Sequence, residues 1–194
     1  MASESGEGLR THHSPSTLPL HIRVATDADV PALRTLIAES VRGLSAGYYT
    51  PAQAESALVH VFGPDTQLIA DGTYYVVESA STLVAAGGWS HRRTHYGGDQ
   101  TKSGEDPDLD PKTEPARIRA FFVHPAWARR GLGRLLFEHC RAAARAAGFR
   151  DLTLVATLPG VPLYEALGFV AQESFAVPMP GGLDLPVVRM TREV

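Results

Sequence analysis

Apolar positions along the chain follow two spacings, one typical of strands and one typical of helices. Short stretches rich in β-branched and aromatic residues predict strands. These strands are predicted at residues 20–25, 67–70, 73–79, 82–89, 116–123, 151–156, 170–178 and 184–191. Apolar residues three and four positions apart predict helices. The helices are predicted at residues 26–42, 50–63, 132–147 and 162–167.

Capping residues support the ends of two of these helices. Thr50 precedes Pro51, and Gln53 follows three positions after Thr50, which is the pattern of a capping box with proline in the first turn. Gly148 comes directly after the strongest amphipathic helix, where a glycine commonly ends a helix in a left-handed conformation.

The order of elements predicts how the strands pair. A strand–helix–strand unit over 116–156 implies a parallel pair with a right-handed crossover. The strands at 73–79 and 82–89 are joined by a tight turn, which implies antiparallel pairing. We therefore expect an α+β domain of three layers, in which helices cover both faces of a mixed sheet.

The chain divides into three parts by composition. Residues 1–19 are rich in Ser, Gly and Pro, and we expect a disordered tail in which His12 and His13 are solvated. Residues 20–194 are predicted to form a single domain. Within it, residues 90–115 form an insertion loop that is basic at its start and acidic towards its end. Loops of this length are usually functional or disordered.

Composition excludes several classes of protein. Of the 194 residues, 44% are apolar and the formal net charge is -3, so we expect neither nucleic-acid binding nor membrane binding. The one cysteine, Cys140, excludes an intrachain disulfide and lies on an apolar helix face. The N-terminus does not resemble a secretion signal, and no apolar run is long enough to span a membrane. These features predict a cytoplasmic protein.

The sharpest chemical signal lies where the strand at 116–123 leads into the helix at 132. The segment from Arg129 to Arg134 reads RRGLGR. The N–H groups of a first helical turn lack partners, glycine lets an anion approach the backbone, and three arginines add positive charge. This combination predicts a site for a diphosphate.

Other ligand motifs fit less well. The P-loop string is absent, and the third glycine of a dinucleotide fingerprint is replaced by Leu136. His91 and His95 are four residues apart but have no third metal ligand, so no metal site is expected. A serine-hydrolase elbow is also absent.

Two segments together resemble the GNAT superfamily of N-acetyltransferases. FFVHPAWARRGLGRLLF, residues 121–137, resembles its acetyl-CoA-binding segment, and LYEALGF, residues 163–169, resembles its second hallmark. The resemblance extends over residues 20–191. It implies a GNAT-like three-layer α/β/α fold in which two central strands splay apart and admit acetyl-CoA as co-substrate.

The resemblance also implies roles for particular residues. Phe121, Phe122 and Val123 match the strand that pairs with the pantetheine arm. Tyr164 matches the general acid that protonates the departing thiolate. The turn that holds the pyrophosphate matches Arg129, Arg130, Gly131, Leu132, Gly133 and Arg134. This chain departs from the family pattern at Ala128, where Gln or Arg is usual, and at Thr157, where Asn is frequent.

Acetyl transfer to an amine also requires a route for a proton. Deprotonating a lysine-like amine at pH 7 costs roughly 4.6 kcal/mol, so a base or a water chain must offset this. Glu78, at the end of a strand, is the leading candidate, followed by Glu114 and His124. Each has a simpler interpretation: Glu78 as a solvent-facing carboxylate, and His124 as a strand-end cap before Pro125.

The sequence thus predicts transfer of acetyl from acetyl-CoA to a primary amine of a small molecule or protein, by direct attack in a ternary complex. The alternatives are a non-catalytic acyl-CoA-binding regulatory module and a transferase for longer acyl groups. The insertion loop is expected to fold over the acceptor, with Arg92 and Arg93 meeting an anionic group, or to be disordered and self-neutralising. The closing hairpin would allow a homodimer.

Overall fold

The computed structural model describes residues 19–194, so all of the expected tail except Pro19 lies outside the described residues, including His12 and His13. Seven strands and five α-helices follow one another in this part of the chain. The strands are β1 (Leu20–Val24), β2 (Tyr74–Ser79), β3 (Thr82–Ser90), β4 (Ala116–Val123), β5 (Asp151–Thr157), β6 (Val170–Met179) and β7 (Leu183–Glu193). The helices are α1 (Val30–Leu44), α2 (Pro51–His60), α3 (Thr66–Ala70), α4 (Leu132–Ala146) and α5 (Val161–Ala166).

The seven strands form one sheet in the order β1-β2-β3-β4-β5-β7-β6. β4 and β5 are parallel, whereas the other neighbouring strands are antiparallel. The parallel pair is the one that the crossover through α4 predicts. The mixed sheet expected from the order of elements is confirmed.

Helices cover both faces of the sheet. On one face, α4 buries Phe137, Cys140 and Ala144 against β4, β5 and β7. On the other face, α1 packs Leu33, Leu36 and Ile37 towards the sheet and α2. The three-layer α+β architecture is therefore confirmed. Burial raises the pKa of the Cys140 thiol, which keeps it protonated as a core residue.

The capping box predicted at the start of α2 is present. The N–H of Gln53 donates to the Thr50 hydroxyl, and the Thr50 N–H donates to the Gln53 side chain at 2.9 Å. α1 begins later than expected, because a short 3-10 turn over Asp27–Asp29 comes first. In that turn, the Asp29 carboxylate accepts the Thr26 N–H at 2.7 Å.

One predicted strand is wrong: residues 67–70 lie in α3. Asp65 caps this helix by accepting the Leu68 N–H at 3.2 Å, and Leu68 and Ile69 are both buried. Two consecutive buried residues fit a helical turn packed on the sheet better than a strand with alternating faces. Short apolar runs do not distinguish the two structures by periodicity alone.

β4 and β5 separate soon after they meet. They pair only at Ala116 with Leu152 and at Arg117 with Thr153. Beyond this point β4 contains a bulge, and Ala120 adopts a left-handed φ of 56°. A bulge bends its strand and increases the local twist, which carries the strand away from its neighbour. The splay implied by the family resemblance is present at this position.

Several charged residues connect the 90–115 segment to the rest of the domain. Arg92 binds Asp71 with two hydrogen bonds of 2.7 and 2.8 Å. Arg119 of β4 donates to the carbonyls of Thr94 and Gly97 at 2.9 and 2.7 Å, and also to the fully buried Asp65 at 2.8 Å. This buried network attaches the segment to the sheet beside the gap between β4 and β5.

Candidate functional site

The turn between β4 and α4 presents free backbone amides. Arg129 and Gly131 have left-handed φ values of 63° and 83°, and Gly131 is the N-cap of α4. The first amide of α4 with a helical acceptor is that of Leu135, which donates to Gly131 at 2.9 Å. The preceding amides of the helix therefore have no intrahelical partner, as an anion-binding turn requires.

The two glycines of this turn serve different needs. Gly131 requires a left-handed backbone, and a Cβ placed there would meet no atom within 4 Å. A Cβ at Gly133 would lie 2.7 Å from the side chain of Leu163, so this glycine allows α4 to approach α5 closely. The first glycine thus leaves the turn open to a ligand, and the second positions α5.

The arginines around the turn keep most of their charge available. The Arg130 guanidinium lies 4.9 Å from the centre of the Trp127 ring, and Arg134 donates to the Ala166 carbonyl at 3.3 Å. Among residues 19–194, no carboxylate lies within 4.0 Å of Arg129, Arg130 or Arg134. Three uncompensated cations beside free amides suit a polyanionic group.

A cavity of about 220 Å³ lies in the gap between β4 and β5. Its lining includes Gly133 of α4 on one side of the sheet, and Ser40 of α1 and His95 of the insertion on the other. The cavity therefore passes through the splayed sheet. It joins the side that carries the turn between β4 and α4 to the side that carries α1 and α2.

The three predicted residues of β4 all line this cavity. His124 donates its N–H to Val84 of β3, so the N–H of Val123 points to the opposite, unpaired edge of β4. There it donates to the Ser40 hydroxyl at 3.2 Å. Phe121 packs towards α4, whereas Phe122 packs against Phe62 on the other side.

Tyr164 also lines the cavity, and only 8% of the residue is exposed. Its ring packs against Phe121 and Phe169, with centroid distances of 6.3 and 5.8 Å. Burial raises the pKa of the phenol above its ordinary value. The structure thus brings Tyr164, the β4 residues and the start of α4 together around one space, and it keeps the phenol protonated.

The carboxylates considered as bases lie elsewhere. Glu78 does not line the cavity and accepts two hydrogen bonds from Arg23, at 2.5 and 3.2 Å. Glu114 accepts the Asp110 N–H at 2.9 Å and lies 3.5 Å from Arg93. His124 caps the following turn by accepting the Ala126 N–H at 3.1 Å, as its simpler interpretation predicts. The structure therefore brings none of these three groups to the cavity.

His95 is the residue that sequence reasoning missed. It lines the cavity beside the β4 bulge, whereas its spacing from His91 suggested only a poorly supported metal ligand. Burial, followed by the charges of Arg117, Arg189 and Arg119, lowers the pKa of His95 to about 4, so the imidazole is neutral at pH 7. Nothing in the local sequence GGWSHRRTHYGG distinguishes it, because its surroundings come from distant strands.

The insertion contributes to the cavity differently from the prediction. His95, Tyr96, Gly97 and Gly98 form part of the cavity lining. Arg92 binds Asp71 instead, so the anionic contact expected of it is not available in this conformation.

No group of three or more metal-binding side chains occurs in the described part of the chain. No helix between residues 19 and 194 is long and apolar enough to cross a membrane.

Comparisons with known proteins give the same family as the motifs. Residues 70–171, slightly more than half of the chain, match the family model described as the acetyltransferase (GNAT) domain. Phosphinothricin N-acetyltransferase of Streptomyces viridochromogenes is 26% identical over 166 residues, which cover 82% of this chain and 79% of that protein.

Solved structures agree in fold. A GCN5-related N-acetyltransferase from Rhodopseudomonas palustris has a TM-score of 0.65 at 19% identity, covering 94% of this chain and 99% of its own. PaiA N-acetyltransferase from Thermoplasma acidophilum, solved with coenzyme A, has a TM-score of 0.63 at 14% identity. The match covers 91% of this chain and 100% of that chain. The predicted enzyme class, an acyltransferase that uses acetyl-CoA, is confirmed at the level of the family. The chain belongs to the GNAT family of acetyltransferases.

Proposed function

We propose that this protein transfers an acetyl group from acetyl-CoA to a primary amine by direct attack in a ternary complex. The observation that carries the proposal is the cavity through the splayed sheet, which joins a cationic, amide-rich turn to a separate space on the α1 side. Such a passage allows donor and acceptor to meet without a covalent enzyme intermediate. The acceptor is a small molecule or an exposed amine of a protein.

The residues of the turn fit a diphosphate. Gly131 leaves the space above the turn open, the neighbouring amides are free, and Arg129, Arg130 and Arg134 surround them. The unpaired edge of β4 from Phe121 to Val123 would hold the pantetheine arm through backbone hydrogen bonds. When bound, acetyl-CoA supplies the activated acetyl group.

Tyr164 is proposed to protonate the departing thiolate. A thiol has a pKa of roughly 8.5, so a neighbouring phenol that stays protonated at pH 7 is a suitable donor. The raised pKa keeps the proton on the Tyr164 phenol at pH 7 but makes it a weaker acid, so the phenol is proposed to act mainly by sharing its proton with the departing thiolate in a hydrogen bond. A β4 amide beside the bulge would stabilise the negative charge that develops on the acetyl oxygen.

The incoming amine must lose a proton, and we no longer assign this task to Glu78. Of the residues that line the cavity, none is Asp or Glu, and His95 is the neutral group with a free ring nitrogen. We assign the proton route to His95 or to water held beside it. A low pKa makes this imidazole a relay towards water rather than a strong base.

Steady-state acetylation of a panel of amines, including phosphinothricin, tests the proposal. Tyr164→Phe should lower kcat about a hundredfold while the Kd for acetyl-CoA changes little, because the hydroxyl acts on the leaving group. Tyr48→Phe is the matched control, since Tyr48 is exposed. Tight acetyl-CoA binding without turnover of any amine would instead support the non-catalytic regulatory module.

A series of acyl-CoA donors addresses the third alternative. The cavity volume of about 220 Å³ must hold both the acyl group and the reacting end of the acceptor. We therefore expect kcat/KM to fall steeply as the acyl chain lengthens beyond acetyl. A preference for a longer acyl group would contradict the assignment to acetyl transfer.

A further inference from the structure

Three arginines and a histidine gather on the sheet face opposite α4. We call these residues, Arg117, Arg119, Arg189 and His95, the basic cluster. Arg117 and Arg119 are two positions apart on β4, so their side chains share a face. Arg189 of β7 is the cross-strand partner of Val155. Val155, Arg119 and His95 line the cavity, whereas Arg117 and Arg189 lie outside this lining but close enough for their charges to act on His95.

Within this cluster Arg119 is fully paired, but Arg117 is not. Arg119 binds Asp65 and two carbonyl oxygens. Arg117 is only 7% exposed and donates to the Pro115 carbonyl at 2.9 Å. Its Nε is buried without a hydrogen-bond partner. Within the described chain, no carboxylate lies within 4.0 Å of its guanidinium.

Two neighbours of Arg117 also have a buried nitrogen without a hydrogen-bond partner. Arg189 lies 2.9 Å from Glu173 and stacks on Phe175, yet its Nε is buried and unpaired. The Nδ1 atom of His95 is also buried without a partner. Glu114, which acts on Arg117 from further away, is engaged by Arg93. Three unpaired nitrogens on three different elements therefore meet in one region.

Such an arrangement is costly without a ligand. A buried charge without a hydrogen-bonded counter-ion destabilises a fold, and proteins rarely leave several polar nitrogens unpaired in one place. Burial lowers the pKa of His95, and the positive charges of the neighbouring arginines lower it further. An oxyanion placed here would accept from the arginines and offset this field.

We propose that the basic cluster binds an oxyanion group of the acceptor, so that the substrate is a small amine that also carries a carboxylate, phosphinate or phosphonate. This inference rests on the proposed function, because it extends the acceptor side of the same cavity. The amine reaches the gap between β4 and β5 beside His95, and the oxyanion reaches Arg117 and Arg189. Polycationic amines are disfavoured by the same charges.

Matched pairs of amines test the substrate class. 4-Aminobutanoate is compared with 4-aminobutanamide, L-phenylalanine with 2-phenylethylamine, and 3-aminopropylphosphonate with 3-aminopropanol. We expect kcat/KM to be roughly tenfold to a hundredfold higher for the anionic member of at least one pair, since charge-assisted hydrogen bonds are lost in the other. A preference for the uncharged members, or for spermidine, would overturn the proposal.

Variants of the basic cluster test whether its residues cause the preference for anionic amines. Arg117→Gln should raise KM about tenfold or more for the anionic amine and leave the neutral amine unchanged. Its Tm should not fall, because Arg117 has no carboxylate partner to lose. Arg34→Gln, an exposed arginine of α1, is the control. A lower Tm with an equal loss for both amines would show a structural role and contradict the proposal.

Two further measurements keep the test decisive. Arg189→Gln addresses the same site from β7 if Arg117→Gln does not fold, and it should have the same selective effect. Thermal shifts of the wild type and Arg117→Gln with the same amines, in the presence of coenzyme A, report binding without turnover. Anion-dependent stabilisation without acetylation would leave the basic cluster supported and refute the proposed function alone. No anion-dependent shift and no selective kinetic effect would refute the site.

Discussion

The two ends of the cavity are built in different ways. The turn from Arg129 to Arg134 is a continuous hexapeptide whose glycines, amides and arginines all belong to one strand–helix junction. The basic cluster draws Arg117 and Arg119 from β4, Arg189 from β7 and His95 from the insertion. The proposed donor site consists of local backbone and is visible as a motif, whereas the proposed acceptor site is assembled by sheet topology and is not.

The largest effect on stability is expected for Asp65, which pairs with Arg119 of the basic cluster. Asp65 is fully buried and compensates both Arg119 and Lys102. Asp65→Asn should lower the free energy of unfolding by about 3–5 kcal/mol, because it leaves buried cations unpaired. Chemical denaturation measures this change.

Asp99→Asn is the matched control, because Asp99 is more exposed and lies 3.8 Å from the same lysine. If both variants lose the same stability, the buried network does not support the acceptor end as described.

An intermediate effect on the free energy of unfolding is expected from the protonation of His95 at low pH. The unfolded imidazole binds a proton below about pH 6.5, but the folded one does so only below about pH 4. Between these values the unfolded state binds more protons, so stability falls as the pH is lowered from 6.5 to 4. After allowance for solvent screening, this loss should be about 2 kcal/mol.

Urea denaturation of the wild type and His95→Gln at pH 7 and pH 4.5 tests this expectation. The variant should lose less stability over this interval than the wild type. Equal pH dependence in the two proteins would mean that the field at His95 is weaker than the arrangement of arginines implies.

A smaller effect, on the affinity for acetyl-CoA, is expected from the arginines of the turn between β4 and α4. Arg130→Gln should weaken acetyl-CoA binding about fivefold, because one exposed cation contributes roughly 1 kcal/mol beside the backbone amides. Titration calorimetry at two salt concentrations should show a smaller difference at high salt. An unchanged Kd, with Arg34→Gln as reference, would assign the diphosphate contact to backbone amides alone.

The sequence was sufficient where the signal is local. The capping box at Thr50, the buried Cys140 and the turn at Gly131 follow from a few neighbouring residues, and most strands follow from their alternation. The strand predicted at 67–70 is wrong because so short a run shows no helical period, and its helix is stabilised by burial of Leu68 and Ile69 against the sheet. Glu78 resembles a free carboxylate until β1 supplies Arg23 beside it.

Other expectations stay predictions. They are the single domain over 20–194, the location in the cytoplasm, the homodimer and the roles of the site residues. Of these, the role of Tyr164 is the most directly testable, because its environment is already defined by Phe121 and Phe169.

The anchoring of the insertion has a practical consequence. Asp65 and Arg119 hold the backbone at Thr94 and Gly97, and Lys102 is tied to the same carboxylate. Ser103, Gly104 and Glu105 lie beyond these ties and are exposed. A cysteine-linked fluorophore at Ser103 would lie on the exposed part of the insertion and leave the cavity lining unchanged, and Cys140 is too buried to compete for the label. The protein thus offers an attachment point for an optical label on its insertion.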